Sequence, residues 1–436
     1  NTVCDFDPLE KEVQHSLRTS VTHLNAQKDD GTPVRIHLLD TPGYPDCVGQ
    51  ALGALDAVKT VCIVVDATKG IELMTRRMME WAKERNLCRM IVVNKIDQPN
   101  IDLMKLLVEL REAFGNEVLP LNLPNKDCTH VIDCFNNDKG EANFASVEQV
   151  HQAFIERVVE MDDETMERYL EEGSVDPKSL HAPLTKALRL GHIIPVCYTS
   201  AKNLIGMRDL TKVFVRHLPN PTEANAPLFF RADGSEYTTM PDSHRPVIAH
   251  VFKVVNDPYV GKIGLFRLHQ GHIAKDTTLF VDESKKPFKI TRPMMMQGKD
   301  DEMNPGNIGA VAKVDDIVYG SVLHDAAIEG GIYMKKLSFP KPMFGLAVRP
   351  ARRGDEGRMS EVLEKMASED PTLAVEHDAV MNETVLRGVS EQHLKTVIRR
   401  MAMQFKLEVE TSTPRVPYRE TISAPAEGHA RHKKQT

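Results

Sequence analysis

The stretch Met90-Ile91-Val92-Val93-Asn94-Lys95-Ile96-Asp97 decides how this chain is read. Its apolar half is β-branched, nearly continuous and too short for a helix, which is the pattern of a strand buried on both faces. It runs directly into a polar tetrapeptide. Three other runs have the same form: Val34-Arg35-Ile36-His37-Leu38-Leu39, Val61-Cys62-Ile63-Val64-Val65 and Ile193-Ile194-Pro195-Val196-Cys197-Tyr198. Residues 71–86 read as a helix with Met74, Met78 and Trp81 on one face. Leu103, Leu106, Leu107, Leu110 and Phe114 repeat at helical spacing, and Gly115 offers a C-cap. Strands alternating with helices predict a parallel, doubly wound α/β sheet with all four runs as its strands.

Each of the four runs ends in a polar motif. These are Asp40-Thr41-Pro42-Gly43, Asp66-Ala67, Asn94-Lys95-Ile96-Asp97 and Thr199-Ser200-Ala201-Lys202. Ligands of open α/β sheets bind beyond the carboxyl ends of the strands, so the four motifs are expected along one edge. Taken singly they are weak signals, and Asp-Thr-Pro-Gly is an ordinary turn sequence. Their order and placement together point to a guanine nucleotide. Asp97 can accept from both the ring N1–H and the exocyclic amine of guanine, a contact adenine cannot satisfy. Asn94 and the backbone N–H of Ala201 can donate toward the N7 and O6 side, and the Lys95 stem can lie along the base or sugar. A buried carboxylate left unpaired by the wrong base is costly, which gives the site its selectivity. At the other end, Asp40 is placed to hold magnesium through water, and Gly43 lets a backbone N–H approach a terminal phosphate.

The 436 residues suggest about three domains at roughly 150 residues each. Lys plus Arg number 55 against 62 Asp plus Glu, a net charge of -7, which argues against a surface wrapped in duplex DNA. No apolar run approaches the ~20 residues of a membrane span, and residues 1–12 are polar and acidic rather than a secretory signal. The seven Cys are odd in number and form no C-x-x-C pair, so neither a disulfide framework nor a zinc knuckle is expected. A cytoplasmic protein follows.

In the second half, Pro219-Asn220-Pro221 reads as a domain exit and residues 234–245 as a polar linker. Residues 246–323 carry short strand signals with Gly and Pro turns, which suggest a small closed β-barrel. Beyond them, Phe344-Gly345-Leu346-Ala347-Val348 is a strand and Met359, Val362, Leu363 and Met366 a helical stripe. Strands at Leu373-Ala374-Val375 and Thr384-Val385-Leu386 follow. Ser390 then caps a helix bearing Leu394, Val397, Ile398 and Met401, and Leu407-Glu408-Val409 closes a β-α-β-β-α-β order, the ferredoxin-like split unit. The methionines read as core, and His393 as a structural, partly exposed His.

These motifs resemble those of the translational GTPases, specifically elongation factor G and the elongation-factor-G-like proteins. Asp40-Thr41-Pro42-Gly43 is similar to the family's switch II motif, Asn94-Lys95-Ile96-Asp97 to its guanine-specificity motif, and Ser200-Ala201 to its last base-contacting loop. Asp5-Phe6-Asp7 through Ser16 looks like switch I. The resemblance implies a multidomain α/β, β-barrel and α+β protein. It would comprise a P-loop-NTPase-like GTPase domain at 1–222 with an inserted subdomain at about 115–190, a barrel at 223–340 and a ferredoxin-like domain at 341–422. Residues 423–436 would open a further domain, with the basic Arg431-His432-Lys433-Lys434 suited to facing RNA. It also implies GTP/GDP and magnesium as ligands, the ribosome as partner, no membrane or DNA partner, and a monomer.

Three departures from the family pattern stand out. Tyr44 occupies the position after Asp-Thr-Pro-Gly where a His usually positions the attacking water, so Tyr44 and Gly43 are the candidate catalytic residues. Ser16 stands where switch I supplies a Thr hydroxyl to magnesium. The Gly-rich loop G-x-x-x-x-G-K-[ST], which cradles phosphates, occurs nowhere in the sequence. The sheet is therefore expected without its first strand and phosphate loop, and the full chain is expected to start earlier. The resemblance implies GTP hydrolysis coupled to translocation or recycling. A ribosome-binding paralogue with slow turnover, motivated by Tyr44, and a tetracycline-type ribosomal protection factor are the alternatives.

Overall fold

The parallel sheet has four strands, though not the expected four. In the computed structural model, which describes residues 3–173, 175–284, 286–291, 293–295, 302–325, 331–335 and 337–432, the N-terminal region contains eight strands. They are β1 (Ser20–Gln27), β2 (Pro33–Asp40), β3 (Thr60–Asp66), β4 (Cys88–Asn94), β5 (Val118–Pro120), β6 (Asn122–Pro124), β7 (Val131–Asp133) and β8 (Ile194–Tyr198). The parallel sheet runs β3-β4-β8-β5. The first apolar run, Val34 to Leu39, is not part of it: β2 pairs antiparallel with β1 along its whole length. Its own sequence permits this. Arg35 and His37 alternate with Val34, Ile36 and Leu38, the signature of a half-buried antiparallel strand rather than one covered on both faces. The fourth parallel strand is instead the three-residue β5, inside the segment read as an inserted subdomain. Asn1 of the switch I segment and Lys433-Lys434 of the basic tail lie outside the described residues.

β4 and β8 behave as the apolar runs predict, with Met90, Ile91 and Val93 and every residue of β8 buried. β3 is covered on one face only: Val61, Ile63 and Val65 are buried, whereas Cys62 and Val64 are exposed. Helix Leu103–Phe114 buries Leu103, Leu106, Leu107 and Leu110, and Gly115 ends it. Helix Leu73–Glu84 forms where expected but rolled by one residue. Thr75, Met79 and Ala82 face inward, and Met74, Met78 and Trp81 lie half-buried at the flank. Phe154, Ile155, Val158 and Leu184, from helices Val147–Val159 and His181–Leu190, pack with Met90, Val92 and Cys197 in one core.

The chain divides into two compact units, Asn1–Pro340 with Ser368–Pro371, and Lys341–Ala367 with Thr372–Thr436. Within the first, a seven-stranded antiparallel sheet is built on Ile248–Asp257 paired with Gly261–Gln270, around a core that includes Val251, Phe266, Leu268 and Leu323. The expected linker contains a strand: Glu236–Thr238 pairs with Leu228–Arg231. Asp233-Gly234 is a hairpin turn signal, and Gly234 takes φ +81° there.

The second unit has a four-stranded antiparallel sheet in the order Ala374–Asp378, Glu383–Gly388, Phe344–Pro350, Val409–Ser412, with helices Glu356–Glu369 and Glu391–Phe405. This is the β-α-β-β-α-β order read from the pattern. Met359, Met366 and Met401 sit in its core. Ser390 caps the second helix by accepting from the His393 backbone N–H at 3.0 Å. His393 is buried, 5% exposed, rather than partly exposed. Its ring lies under Gly388, where a Cβ would come within 2.8 Å of Nδ1.

Candidate functional site

The parallel register sets Asp66 beside Asn94 and Val93 beside Tyr198, so three strand ends open onto the same edge. Asp66 Oδ1 accepts from the backbone N–H and the hydroxyl of Thr68 at 2.9 and 2.7 Å, and its Oδ2 from Lys95 Nζ at 2.5 Å. Against some desolvation, the Lys95 ammonium and the Thr68 donors hold the Asp66 carboxyl at about 2. Lys95 itself takes φ +68°. Its ammonium is thus anchored on β3, which fixes where its stem can run.

Asp97 is held by the loop after β8. Its Oδ2 accepts from Asn203 Nδ2 at 2.7 Å and Gln98 Nε2 at 3.3 Å, while Oδ1 is buried with no partner among the described residues. The Ser200 hydroxyl beside it keeps the carboxyl below the usual carboxylate range. An ionised carboxylate with a buried, unused oxygen fits a ligand edge carrying adjacent N–H donors, and guanine has that edge. The Ala201 N–H, expected to point at the base, instead donates to Asn94 Oδ1 at 2.9 Å. Asn94 therefore spends its acceptor on holding the loop and keeps its amide donors for a ligand. Reciprocal backbone bonds between Ser200 and Ile205, both 3.0 Å, close the loop. Gly206 then turns it at φ +69°, with the Tyr198 carbonyl only 2.8 Å from where a Cβ would stand.

The Asp40 motif lies at the end of the β1–β2 hairpin, which among the described residues pairs with no strand of the parallel sheet. Desolvation raises the Asp40 carboxyl, the nearby Asp5 charge adds to this, and the Cys4 thiol donating to Asp40 opposes it. Desolvation and Asp40 in turn push the Cys4 thiol up to about 11. Ser16 is turned toward Asp5, donating to its Oδ1 at 2.7 Å. Ser16, Asp5 and Asp40 are oxygen donors of the kind magnesium takes alongside waters, but among the described residues no group of three or more His, Cys, Asp or Glu side chains is arranged to hold a metal ion. Thr41 is half-buried and Pro42 buried, while Gly43 is exposed with open space where a Cβ would be. Tyr44 is 54% exposed and its ring packs on His15, centroids 4.6 Å apart.

Asn203, Gln98 and the His15 ring are the contributors that the motifs leave out, and Asp66, present there as a strand end, gains its role as the partner of Lys95. Asn203 has a readable signal, as an amide two residues after Ala201 in a loop that must close on Asp97.

The family described as Elongation factor Tu GTP binding domain matches residues 1–220, and Elongation Factor G, domain III matches residues 339–413. The Elongation factor G-like protein of Mycobacterium tuberculosis is 30% identical over 469 residues, covering 100% of this chain and 65% of that protein. Elongation factor G of Thermotoga sp. (strain RQ2) is 29% identical over 460 residues, again covering 100% and 65%. The chain thus spans 65% of the length of these curated relatives. A crystal structure of a protein from Thermus thermophilus superposes with a TM-score of 0.79 at 30% identity, over 96% of this chain and 62% of that one.

Proposed function

We propose that this chain, which belongs to the translational GTPases of the elongation factor G type, binds GTP and GDP with magnesium and uses hydrolysis at the ribosome to drive translocation or recycling. The observation that carries the nucleotide reading is Asp97, three residues beyond the end of β4 at Asn94, whose buried Oδ1 has no partner among the described residues. Asn94 and Asp97 read the base. Ser200 and Ala201 hold the loop that orients them, and Lys95 fixes its approach through Asp66. At the hairpin end, Asp40 and Ser16 would hold magnesium, which neutralises charge on phosphate oxygens. Thr41 and Pro42 set the turn that presents Gly43, whose backbone can approach the third phosphate.

Tyr44 sits where it can orient water. Its phenol can donate to or accept from water but cannot carry positive charge near the developing phosphate charge, so intrinsic hydrolysis is slow and depends on the ribosome. A cytoplasmic, monomeric factor with domain limits at 222, 340 and 422 accompanies this reading. No helix among the described residues is long and apolar enough to cross a membrane.

The test is phosphate release from GTP with and without ribosomes, for the protein and for Tyr44→His. Ribosomes are expected to accelerate release, and Tyr44→His to accelerate it further. Turnover that ribosomes leave unchanged, or no preference for guanine over adenine nucleotides, would overturn the proposal.

A further inference from the structure

Away from the base site, positive charge converges on an interior cavity beside the start of β3 and the strand Gly261–Gln270. Arg267 on that strand is 5% exposed, and among the described residues no hydrogen bond or ion pair engages its guanidinium. A guanidinium has five donors and keeps its proton, and those of Arg267 face the open space of the cavity rather than a protein acceptor. Burial pulls Arg267 down to about 10. Two residues further on, His269 is 8% exposed and its Nε2 has no partner among the described residues. Lys59 and Arg189 line the same cavity. Lys59 Nζ donates to the Asn225 carbonyl at 2.8 Å, and Arg189 Nε to Asn225 Oδ1 at 3.1 Å, both neutral acceptors. Burial first, and the Arg267 charge second, pull Lys59 down to about 7.

The cavity holds about 210 Å³, and Glu223 is the one carboxylate among its lining residues. Both Glu223 oxygens are engaged: Oε2 accepts from the Asn220 N–H at 3.0 Å, and Oε1 lies 3.3 Å from His181 Nε2. No described residue here neutralises Arg267. The cavity is sized for a small anion rather than a drug-sized ligand, and Lys59 and Arg267 also border the adjoining groove of about 450 Å³, so the anion can belong to a larger molecule. Tetrahedral oxyanions match the planar fork of an arginine, with a lysine as a second point charge.

We propose that this cavity is a phosphate site, in which Arg267 grips the anion through its fork while Lys59, Arg189 and His269 complete the shell. Its occupant is either free phosphate or a phosphate group of a larger molecule such as an RNA backbone. The site is independent of the guanine reading, since none of its residues belongs to that site.

Isothermal titration with inorganic phosphate at fixed ionic strength, on the full chain and on Arg267→Met, tests this. The parent is expected to bind phosphate saturably, and Arg267→Met about tenfold or more weakly. A short RNA oligonucleotide that displaces phosphate assigns the site to a backbone phosphate; failure to displace it assigns the site to the free anion. No binding to the parent, equal binding to both proteins, or acetate competing as well as phosphate overturns the proposal. If Arg267→Met does not fold, the acylation rate of Lys59 in the parent decides. Saturating phosphate should slow it several-fold by keeping the amine protonated, and an unchanged rate overturns the proposal.

Discussion

Asp97→Asn is the substitution that most directly examines the base-reading geometry. Asp97 Oδ2 is occupied by Asn203 and Gln98, whereas Oδ1 is covered but engaged by no described residue, so an incoming base must uncover one acceptor and share the other. Guanine offers two donors on that edge. A hydrogen bond to a charged group contributes about 1.5–3 kcal/mol, so the pair contributes about 3–6 kcal/mol, or roughly two to four decades of preference over adenine. The substituted amide can still accept from Asn203, which keeps the loop in place, but its NH₂ now confronts a guanine donor. Xanthine, with a carbonyl at that position, should be favoured instead. Competition of GDP, XDP and ADP against a fluorescent guanine nucleotide measures the ratios, which are independent of overall affinity. The expected result is collapse of the GDP-over-ADP ratio by at least a hundredfold, with a rise in XDP binding. Asn203→Ala, which removes only the support of Oδ2, should cost about tenfold. A variant whose GDP-over-ADP ratio stays within threefold of the parent would refute the assignment of Oδ1 to the base.

Two further outcomes follow from the first unit. Gly206→Ala places a Cβ 2.8 Å from the Tyr198 carbonyl at φ +69°, while Gly173→Ala at φ +68° meets open space. Both carry the left-handed penalty of about 1–2 kcal/mol, but only Gly206→Ala should lose more than that in urea denaturation and also weaken nucleotide binding. Asp56 is buried, paired with Arg85 Nη2 at 3.0 Å and accepting from the Tyr319 hydroxyl at 2.7 Å, yet desolvation outweighs both partners and lifts its carboxyl from 3.8 to about 6. The native protein then holds a proton that the unfolded chain has released. Stability attributable to Asp56 falls as pH rises from about 4 to about 6, by ~3 kcal/mol, and is level above. Asp56→Asn should remove that slope from the stability–pH profile, and identical slopes in the two proteins would contradict it.

The base half of the site is legible in the sequence because each of its parts is local. A buried strand announces itself by four or five apolar residues, and Asn94 to Asp97 follow β4 without a gap. Ser200 and Ala201 follow β8 in the same way. Asn203 escapes such a reading because its meaning depends on Asp97, a contact across 106 positions of chain that no local pattern encodes. Helix Leu73–Glu84 is legible but its roll is not, since Met78 and Met79 are both apolar and only the packing decides which one points inward. His393 reads as partly exposed because a histidine carries no sign of burial; the close approach of Gly388 to its ring is set by the fold of the second unit.

The switch half follows a different logic, and β2 shows why. Its motif does stand at a strand end, but membership in a sheet is a property of the neighbouring strand. Val34, Ile36 and Leu38 mark one apolar, half-buried face, but pairing is made along the backbone edge, which an antiparallel partner such as β1 fills as readily as a parallel one. β3 carries the complementary sign, since its Cys62 and Val64 are apolar yet exposed while the alternate residues are buried. Together with β2, that face borders a groove of about 450 Å³. Apolar side chains facing a groove between two sheets that are not bonded to each other are where the base end and the phosphate end would have to be coupled. In the proposed function, selectivity for guanine would be built by the loops after β4 and β8 alone, whereas a response to a third phosphate would require Asp40 and Gly43 to be held at a fixed distance from them. Base preference and turnover should accordingly separate under mutation, with changes at Cys62, which lines the groove, altering turnover while leaving the GDP-over-ADP ratio intact.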